Sequence, residues 1–172
     1  NSKTPVRLPF KAADPFIMRA RDGRYYLYCT NEDGMGFPVR SSENLVDWKE
    51  HGLAFAAKDA KWGVKCFWAP DVMKLVESII WLPHLAVNPA GALENFRIGV
   101  AVSDRPDGGF QDIGNQPIFD PGYPIIDADV YREAGRFYLY YSRCCYEHEV
   151  DGLEESWIYG VELKPDFSGV IG

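Results

Sequence analysis

The sequence contains no run of 18 apolar residues and no excess of basic side chains. Of its 172 residues, 18 are Lys or Arg and 25 are Asp or Glu, which gives a formal net charge of −7. Nucleic acids and anionic membranes require a basic footprint, so neither is expected as a partner. No membrane-spanning helix is predicted, because such a helix needs about 20 apolar residues. The first residues lack the features of a signal peptide, which leaves cytoplasmic and secreted locations both open.

Metal-ligand spacing is also missing. The four cysteines contain no C-x-x-C pair, and the three histidines are scattered along the chain. The residues concerned are Cys29, Cys66, Cys144, Cys145, His51, His84 and His148. This pattern favours buried, reduced cysteines over a disulfide framework or a zinc site. We therefore predict no cofactor and no metal site, and leave a structural calcium ion as an open alternative.

A hydrophobic period of 3.6 residues is absent from every long segment, so no amphipathic helix is predicted. Aromatic residues, by contrast, make up 15% of the chain. Residues 24–30 and 136–142 are rich in Tyr and Phe, and each stretch follows a glycine turn. Residues 97–104 and 156–163 alternate apolar with small or polar side chains. Short aromatic and alternating segments separated by Gly and Pro are typical of an all-β fold.

Two stretches of the sequence repeat each other. DGRYYLYCT begins at Asp22 and AGRFYLYYS begins at Ala134, and they agree at Gly, Arg, Tyr, Leu and Tyr in the same order. In front of them lie ADPFIMRAR and DADVYRE, each an aspartate followed by apolar residues and an arginine. A middle copy, APDVMK, aligns with DADVYR. The aligned units start at Asp14, Ala69 and Asp127, so the period is 55 and then 58 residues.

A period near 55 residues with about four short strands is typical of a β-propeller blade. The first strand of a blade lines the propeller axis, so Asp14, Ala69 and Asp127 are predicted at equivalent innermost positions. A structural role common to all blades predicts one residue type at all three, whereas acid–base chemistry needs a pair of carboxyl groups. Aspartate is also common at strand starts, where it caps turns, so the repeat alone leaves both interpretations open.

The predicted fold is therefore all-β, a partial β-propeller of about three blades in a single domain over residues 1–172. The blades are expected at about 8–60, 61–120 and 121–172. The second blade is irregular, because VESIIWLPHLAV at residues 76–87 stands where a strand like GRYYLY is expected, and Pro83 interrupts it. Either this hairpin has diverged or residues are omitted from the sequence.

Five stretches together resemble glycoside hydrolase family 43, the five-bladed β-propeller xylosidases, arabinofuranosidases and arabinanases. They are ADPFIMRARDGRYYLYCT, SSENLVDWKEHG, FWAPDV, ENFRIGVAVSDRPDGGF and IDADVYREAGRFYLYYS, in the order and spacing of the family. The resemblance covers the chain from about Asp14 to Gly172. It implies that Asp14 is the general base that activates water, and that Asp127 modulates the pKa of the acid and orients it. These are the two residues that the internal alignment singles out.

The resemblance also implies a general acid that this sequence lacks. In the family the acid is a glutamate followed by Gly-Pro in the fourth blade, and no Glu-Gly-Pro occurs here. Five blades at this period need about 280 residues, so roughly two blades are expected to be missing. An acidic stretch holds candidates for a substitute acid, although a solvated loop is its default interpretation. These candidates are Glu147, Glu149, Glu154 and Glu155.

Side chains around the second inner strand are further candidates. Phe67 and Trp68 precede that strand, and a flat ring there can stack on a sugar face, while core packing explains both rings equally well. Asp71 and Asp129 occupy equivalent repeat positions, two residues after the axial site. Alternation along a strand places them on the same face as the axial residues, where they are candidates for supporting the axial acids.

Two classes of function follow from these patterns. The first is an inverting glycoside hydrolase acting on β-D-xylosides or α-L-arabinosides of plant cell-wall polysaccharide, with an oligosaccharide or polysaccharide substrate as partner. The second is a non-catalytic carbohydrate-binding propeller, in which the acids hydrogen-bond sugar hydroxyls. The 172 residues alone are expected to be inactive on natural substrates, because they lack the acid. An open blade face is expected to favour self-association.

Overall fold

The all-β prediction is confirmed by a computed structural model of the chain. The structure describes residues 7–76, 79–87 and 95–171, with the backbone alone described at 76, 79–87 and 147. These residues form β-strands and two short 3₁₀ turns, at Ala57–Asp59 and Cys145–Glu147, with no α-helix among them. Within the same residues, no helix is long and apolar enough to cross a membrane.

The strands form three main antiparallel sheets in chain order. The first sheet contains β1 (Ala13–Arg19), β2 (Tyr25–Thr30), β3 (Gly36–Ser42) and β4 (Lys49–Ala56). The second sheet contains β5 (Met73–Val76), β6 (Ile79–Val87), β7 (Phe96–Ser103) and β8 (Gln111–Asp112). The third sheet contains β9 (Ile125–Glu133), β10 (Arg136–Arg143) and β13 (Trp157–Leu163). Between β10 and β13 the chain forms a separate small hairpin of β11 (Glu149–Val150) and β12 (Leu153–Glu154).

The repeated aromatic stretches form the second strand of the first and third sheets, β2 and β10. The turns before them contain Gly23 and Gly135, whose φ angles are 83° and 81°. Glycine adopts this left-handed conformation without the steric cost that a side chain imposes. The shared Gly-Arg pair in the two stretches therefore marks the tight turn that leads from the first strand of each sheet into the second.

The irregular second blade still forms a hairpin. Strand β6 occupies the place that β2 and β10 take in the other sheets, and it pairs with β7 along its length, with Pro83 opposite Val100. Proline has no N–H to donate to a ladder, so it removes one hydrogen bond but leaves the strand in place. Residues 77 and 78, between β5 and β6 in the sequence, lie outside the described residues.

The three sheets pack face to face through two apolar layers. One layer lies between the first and second sheets, and the other lies between the second and third. The first layer includes Tyr28, Phe37, Phe55, Val72, Ala101 and Phe110, and the second includes Ile98, Val100, Ile125, Leu139 and Leu163. Burying one Leu- or Phe-sized side chain contributes about 1.5–3 kcal/mol. Strand β7 contributes side chains to both layers, and for this reason it is buried along nearly its whole length.

The order of the sheets agrees with consecutive blades of a propeller. Each sheet falls within one of the expected ranges 8–60, 61–120 and 121–172, although the boundaries between blades stay a prediction. Cys29 and Cys144 are buried, and Cys66 and Cys145 are half-buried.

Candidate active site

The three positions that the sequence repeat aligns share one unusual backbone conformation. The φ angles are 48° at Asp14, 45° at Ala69 and 55° at Asp127. Left-handed backbone is uncommon for residues other than glycine, and alanine tolerates it less readily than aspartate. Such strain, of order 1–3 kcal/mol at each residue, accumulates at functional sites. The alignment of sequence units therefore corresponds to a real equivalence of backbone geometry.

A β-bulge accompanies each of the two aspartates. The register between β1 and β2 shifts between Ala13 and Phe16, and the register between β9 and β10 shifts opposite the segment that contains Asp127. Bulges leave a residue outside the hydrogen-bonded ladder and re-aim its side chain. Both aspartates are accessible to solvent, as a group that handles water must be, and Asp127 is at the same time partly desolvated by its neighbours.

The side chain of Thr30 links Asp14 of β1 to the segment that precedes β5. The Thr30 hydroxyl donates a hydrogen bond to Oδ2 of Asp14 at 2.7 Å, and it accepts one from the N–H of Ala69 at 2.9 Å. Ala69 therefore contributes a backbone group where the other two positions contribute carboxylates. The hydroxyl was not singled out from the sequence, although a signal existed: Thr30 and Ser142 end the two repeated stretches.

The two carboxylates interact electrostatically. Burial raises the pKa of Asp127, and the negative charge of Asp14 raises it further. A like charge acts in this way only at short range, because it penalises the ionised form of its neighbour. Asp127, on the third sheet, therefore lies within electrostatic reach of Asp14, on the first.

The effect of the Asp14 charge on Asp127 leads to a first prediction. Replacing Asp14 by asparagine is expected to lower the pKa of Asp127, because the repulsive charge disappears while the size of the side chain is kept. The measurement is a ¹³C NMR titration of the Asp127 carboxyl in the 172-residue chain. Asp22→Asn, at the other end of β1, is the matched control and should leave the titration in place. An unchanged Asp127 titration in Asp14→Asn would show that the two groups do not share a cleft.

The two predicted aromatic contacts have different outcomes. Phe67 is fully buried, with its ring centroid 6.1 Å from that of Phe37 and 5.6 Å from that of Phe55. The prediction that Phe67 binds substrate is wrong, because its ring packs in the core between the first and second sheets. Trp68 is half-buried, packs against Phe96 at 5.3 Å and lines a cavity together with Thr30. Its contact with sugar stays a prediction.

That cavity has a volume of about 640 Å³ and is lined by both polar and apolar side chains. Its walls are Lys11, Ala12, Ala13, Thr30, Asn31, Glu32, Pro38, Arg40 and Trp68. Neither carboxylate lines it, but Ala13 and Thr30 lie directly beside Asp14. Lys11 and Glu32 form an exposed ion pair at 2.9 Å across the wall, a type of contact that contributes little to stability. The cavity is open enough to admit a sugar next to the first carboxylate.

Asp71 links the second and third sheets. Its Oδ2 accepts the N–H of Val130 at 3.1 Å, and the carboxylate also accepts the N–H of Val72. Burial raises the pKa of Asp71 to about 6, with a smaller contribution from the charge of Asp129. Asp129 itself is exposed and lies opposite Tyr140. The two equivalent aspartates therefore differ, since one is an internal tie between sheets and the other is a surface residue.

The acidic stretch is organised as a small hairpin. Glu149 and Glu154 are exposed and face each other across β11 and β12. The Glu155 carboxylate accepts the indole N–H of Trp157 at 2.8 Å, and the Glu155 carbonyl lies 2.7 Å from Nδ1 of the buried His148. The side chain of Glu147 lies outside the described residues. A role for any of these glutamates as substitute acid stays a prediction.

Metal ligands do not cluster in the part of the chain that the structure describes: no three His, Cys, Asp or Glu side chains there meet in a way that holds a metal ion. His51 lies 2.7 Å from the Ser41 hydroxyl, and the side chain of His84 falls outside the described residues. The predictions about cofactors and calcium stay untested.

Comparisons with known proteins agree with this geometry. The family model of Glycosyl hydrolases family 43 matches residues 3–172. A curated xylosidase/arabinosidase of Bacteroides ovatus is 29% identical over 147 residues, which cover 75% of this chain and 42% of that protein. The crystal structure of a thermostable family-43 glycoside hydrolase superposes with a TM-score of 0.86 at 34% identity, covering 98% of this chain and 53% of that one.

A second solved structure, an endo-arabinase from Bacteroides thetaiotaomicron, superposes with a TM-score of 0.82 at 29% identity, covering 95% of this chain and 55% of that one. The chain thus spans about half the length of the proteins that it matches. Its all-β sheets are a partial propeller of about three blades, and the family match extends over nearly every residue. The chain belongs to glycosyl hydrolases family 43.

Proposed function

We propose that the chain carries the base half of an inverting glycoside hydrolase active site that acts on β-D-xylosides or α-L-arabinosides. One observation carries this proposal: two carboxylates on equivalent bulges of the first and third sheets lie close enough for the charge of Asp14 to raise the pKa of Asp127. Neither is committed to an ion pair among the described residues, and both are exposed. A pair of that kind, beside an open cavity, suits proton transfer to and from water.

The environments of the two acids suggest different roles. Asp14 is exposed and oriented by the Thr30 hydroxyl, which suits a general base that must reach water. Asp127 has a raised pKa and therefore holds a proton more readily. In the proposed reaction, Asp14 takes a proton from water as the water attacks the anomeric carbon. Asp127 orients the general acid and adjusts its pKa, and the acid protonates the leaving oxygen on the opposite face of the sugar.

The substrate class is supported by the relatives. The Bacteroides ovatus protein is named for xylosidase and arabinosidase activity, and the Bacteroides thetaiotaomicron protein is titled an endo-arabinase. Both names refer to pentose glycosides of plant cell walls. The half-buried Trp68 ring at the cavity wall suits stacking on the apolar face of a pentose. We propose an oligosaccharide or polysaccharide of xylose or arabinose as the partner of this site.

The experiment that tests the proposal uses the protein produced from the complete reading frame that contains this sequence. Release of xylose or arabinose from xylobiose, xylotriose and arabino-oligosaccharides is measured, and ¹H NMR identifies the anomer formed first. Hydrolysis with inversion supports the proposal. Binding of these sugars without hydrolysis supports the alternative, a non-catalytic carbohydrate-binding propeller. Neither binding nor hydrolysis of any pentoside would overturn both.

The 172-residue chain by itself is expected to hydrolyse natural pentosides negligibly. A general acid contributes roughly 10²–10⁴-fold, and the chain lacks the Glu-Gly-Pro acid that the family resemblance implies. An aryl pentoside with an activated leaving group needs little protonation, so it is the fair substrate for residual activity. Cleavage of unactivated xylobiose at an ordinary enzyme rate would show that an acid lies within the chain, with the described glutamates Glu149, Glu154 and Glu155 as the first candidates to replace by glutamine.

The isolated chain is also expected to self-associate through the outer face of the third sheet. Tyr131, Tyr140 and Ile158 alternate with core residues along their strands and are 51%, 44% and 70% exposed. Contiguous exposed apolar side chains of this kind mark association surfaces. Light scattering at increasing concentration provides the measurement, and a chain that stays monomeric at high concentration would contradict the expectation.

A further inference from the structure

We infer that Thr30 is a positioning residue for the general base: its hydroxyl holds the Asp14 carboxylate in place. This inference rests on the proposed function of Asp14. It assigns a role to a residue outside the acidic pair, on the second strand of the first sheet.

The hydrogen bonds of the Thr30 hydroxyl determine where its proton points. A threonine hydroxyl has one proton to donate and lone pairs that accept. A backbone N–H can only donate, so the 2.9 Å contact from Ala69 occupies a lone pair of the Thr30 oxygen. The single hydroxyl proton is then directed to Oδ2 of Asp14, at 2.7 Å. A donor fixed in this way holds one oxygen of the Asp14 carboxylate in a defined direction.

Thr30 is itself held in position, through its backbone on one side and through its hydroxyl on the other. Thr30 is the last residue of β2 and pairs with Ala13, the residue directly before Asp14. Ala69 presents its N–H from a left-handed backbone, with φ of 45°, in a segment anchored by the buried Phe67. The hydroxyl therefore lies between two sheets whose positions the core determines, and the Asp14 side chain is oriented relative to both.

The third sheet offers a comparison for the position of Asp14. Asp127 has the same backbone conformation as Asp14 and an equivalent bulge, and burial and the charge of Asp14 raise the pKa of Asp127. The backbone alone therefore does not distinguish the two acids. The Thr30 hydroxyl is bonded to the first of them and orients its carboxylate.

Other charged or titratable groups around Asp14 stay constant in the experiment. Asp127 faces it from β9, and Cys29 of β2 interacts with its charge. The exposed pair of Lys11 and Glu32 and the guanidinium of Arg40 line the adjoining cavity. None of these groups bonds to Thr30, so replacing the threonine leaves them in place and isolates the hydroxyl.

The test compares Thr30→Val, which keeps the volume and removes the hydroxyl, with Thr30→Ser, which keeps the hydroxyl. In the 172-residue chain, NMR measurement of the Hα–Hβ couplings of Asp14 reports whether its side chain occupies a single rotamer. Thr30→Val is expected to release the side chain into several rotamers, because the donor at 2.7 Å is lost, and Thr30→Ser is expected to keep the single rotamer. If Thr30→Val does not fold, judged by circular dichroism, Thr30→Ala replaces it. The same Asp14 rotamer in all folded variants would overturn the inference.

The activity measurement uses the complete protein. Thr30→Val is expected to lower kcat roughly 10-fold to 100-fold with little change in KM, and Thr30→Ser should restore kcat. A merely structural link between sheets would lower stability without separating kcat from KM in this way. If the Asp14 rotamer changes but the complete protein hydrolyses no pentoside, the proposed function fails and the positioning of Asp14 stands. If the original protein is active and kcat is unchanged in Thr30→Val, the inference fails and the function stands.

Discussion

Asp14→Asn is expected to reduce turnover of xylobiose or arabino-oligosaccharides roughly 10²–10⁴-fold in a form of the protein that contains the general acid, with sugar binding nearly unchanged. Asparagine keeps the size of the side chain, and its carbonyl oxygen still accepts the Thr30 hydroxyl that lies 2.7 Å from the carboxylate. It cannot take a proton from water. The loss should therefore appear in kcat, measured by steady-state kinetics, while isothermal titration calorimetry reports an unchanged affinity.

Asp22→Asn is the matched control for this result. Asp22 is exposed at the turn between β1 and β2, where its carboxylate accepts the Tyr26 hydroxyl at 2.9 Å, far along the strand from the proposed site. Its replacement should leave kcat nearly unchanged, because asparagine still accepts the Tyr26 hydroxyl and the position is far from the proposed base. Ordinary turnover in Asp14→Asn would remove Asp14 as the base, and the search for the base would return to Asp127.

Asp71→Asn is expected to remove part of the pH dependence of stability. The pKa of Asp71 is raised from 3.8 to about 6 in the folded chain, mainly by burial. A raised carboxyl pKa means that its stabilising contribution is fully present below about pH 4 and is lost as pH rises through about 6. A shift of this size corresponds to roughly 3 kcal/mol in the free energy of unfolding. Asparagine does not titrate, and its carbonyl oxygen still accepts the N–H of Val130, so that loss should be absent from the variant.

Urea unfolding at several pH values between 4 and 7 measures the effect as a difference between the variant and the original chain. The raised pKa of Asp127 acts in the same direction and the lowered pKa values of Asp120, Glu162 and Asp166 act in the opposite one. All four contributions are common to both proteins and cancel in the difference. Asp104→Asn, at an exposed position, should run parallel to the original chain. Parallel curves for Asp71→Asn as well would contradict a buried, titrating Asp71.

Much of the fold could be predicted from the sequence because each sheet is formed by strands that are close to one another along the chain. The aromatic strands with their glycine turns, and the spacing of 55 and 58 residues between units, depend on neighbours in the chain. The alternating segments at residues 97–104 and 156–163 indicated strands, and β7 and β13 occur there. The hairpin at β6 was the exception. Pro83 and the atypical sequence around it gave no clear strand pattern, but pairing with β7 keeps this segment extended.

The site was less predictable because it depends on contacts between sheets. The repeat selected Asp14 and Asp127, since both occupy the same place in their units. It did not reveal that Phe67 packs in the core while its neighbour Trp68 reaches the cavity, because adjacent residues before a strand look alike in sequence. Nor did it reveal the hydrogen bonds of Thr30 and Asp71, which join residues 39 and 59 positions apart.

The backbone shared by Asp14, Ala69 and Asp127 has a consequence for how such sites change over generations. The chain follows the same path at all three positions whether the residue is an acid or an alanine, so the path does not depend on the side chain. A single base change converts an alanine codon into an aspartate codon or the reverse. The number of acids at these three positions can therefore rise or fall in one mutational step, without an intermediate that has lost the fold.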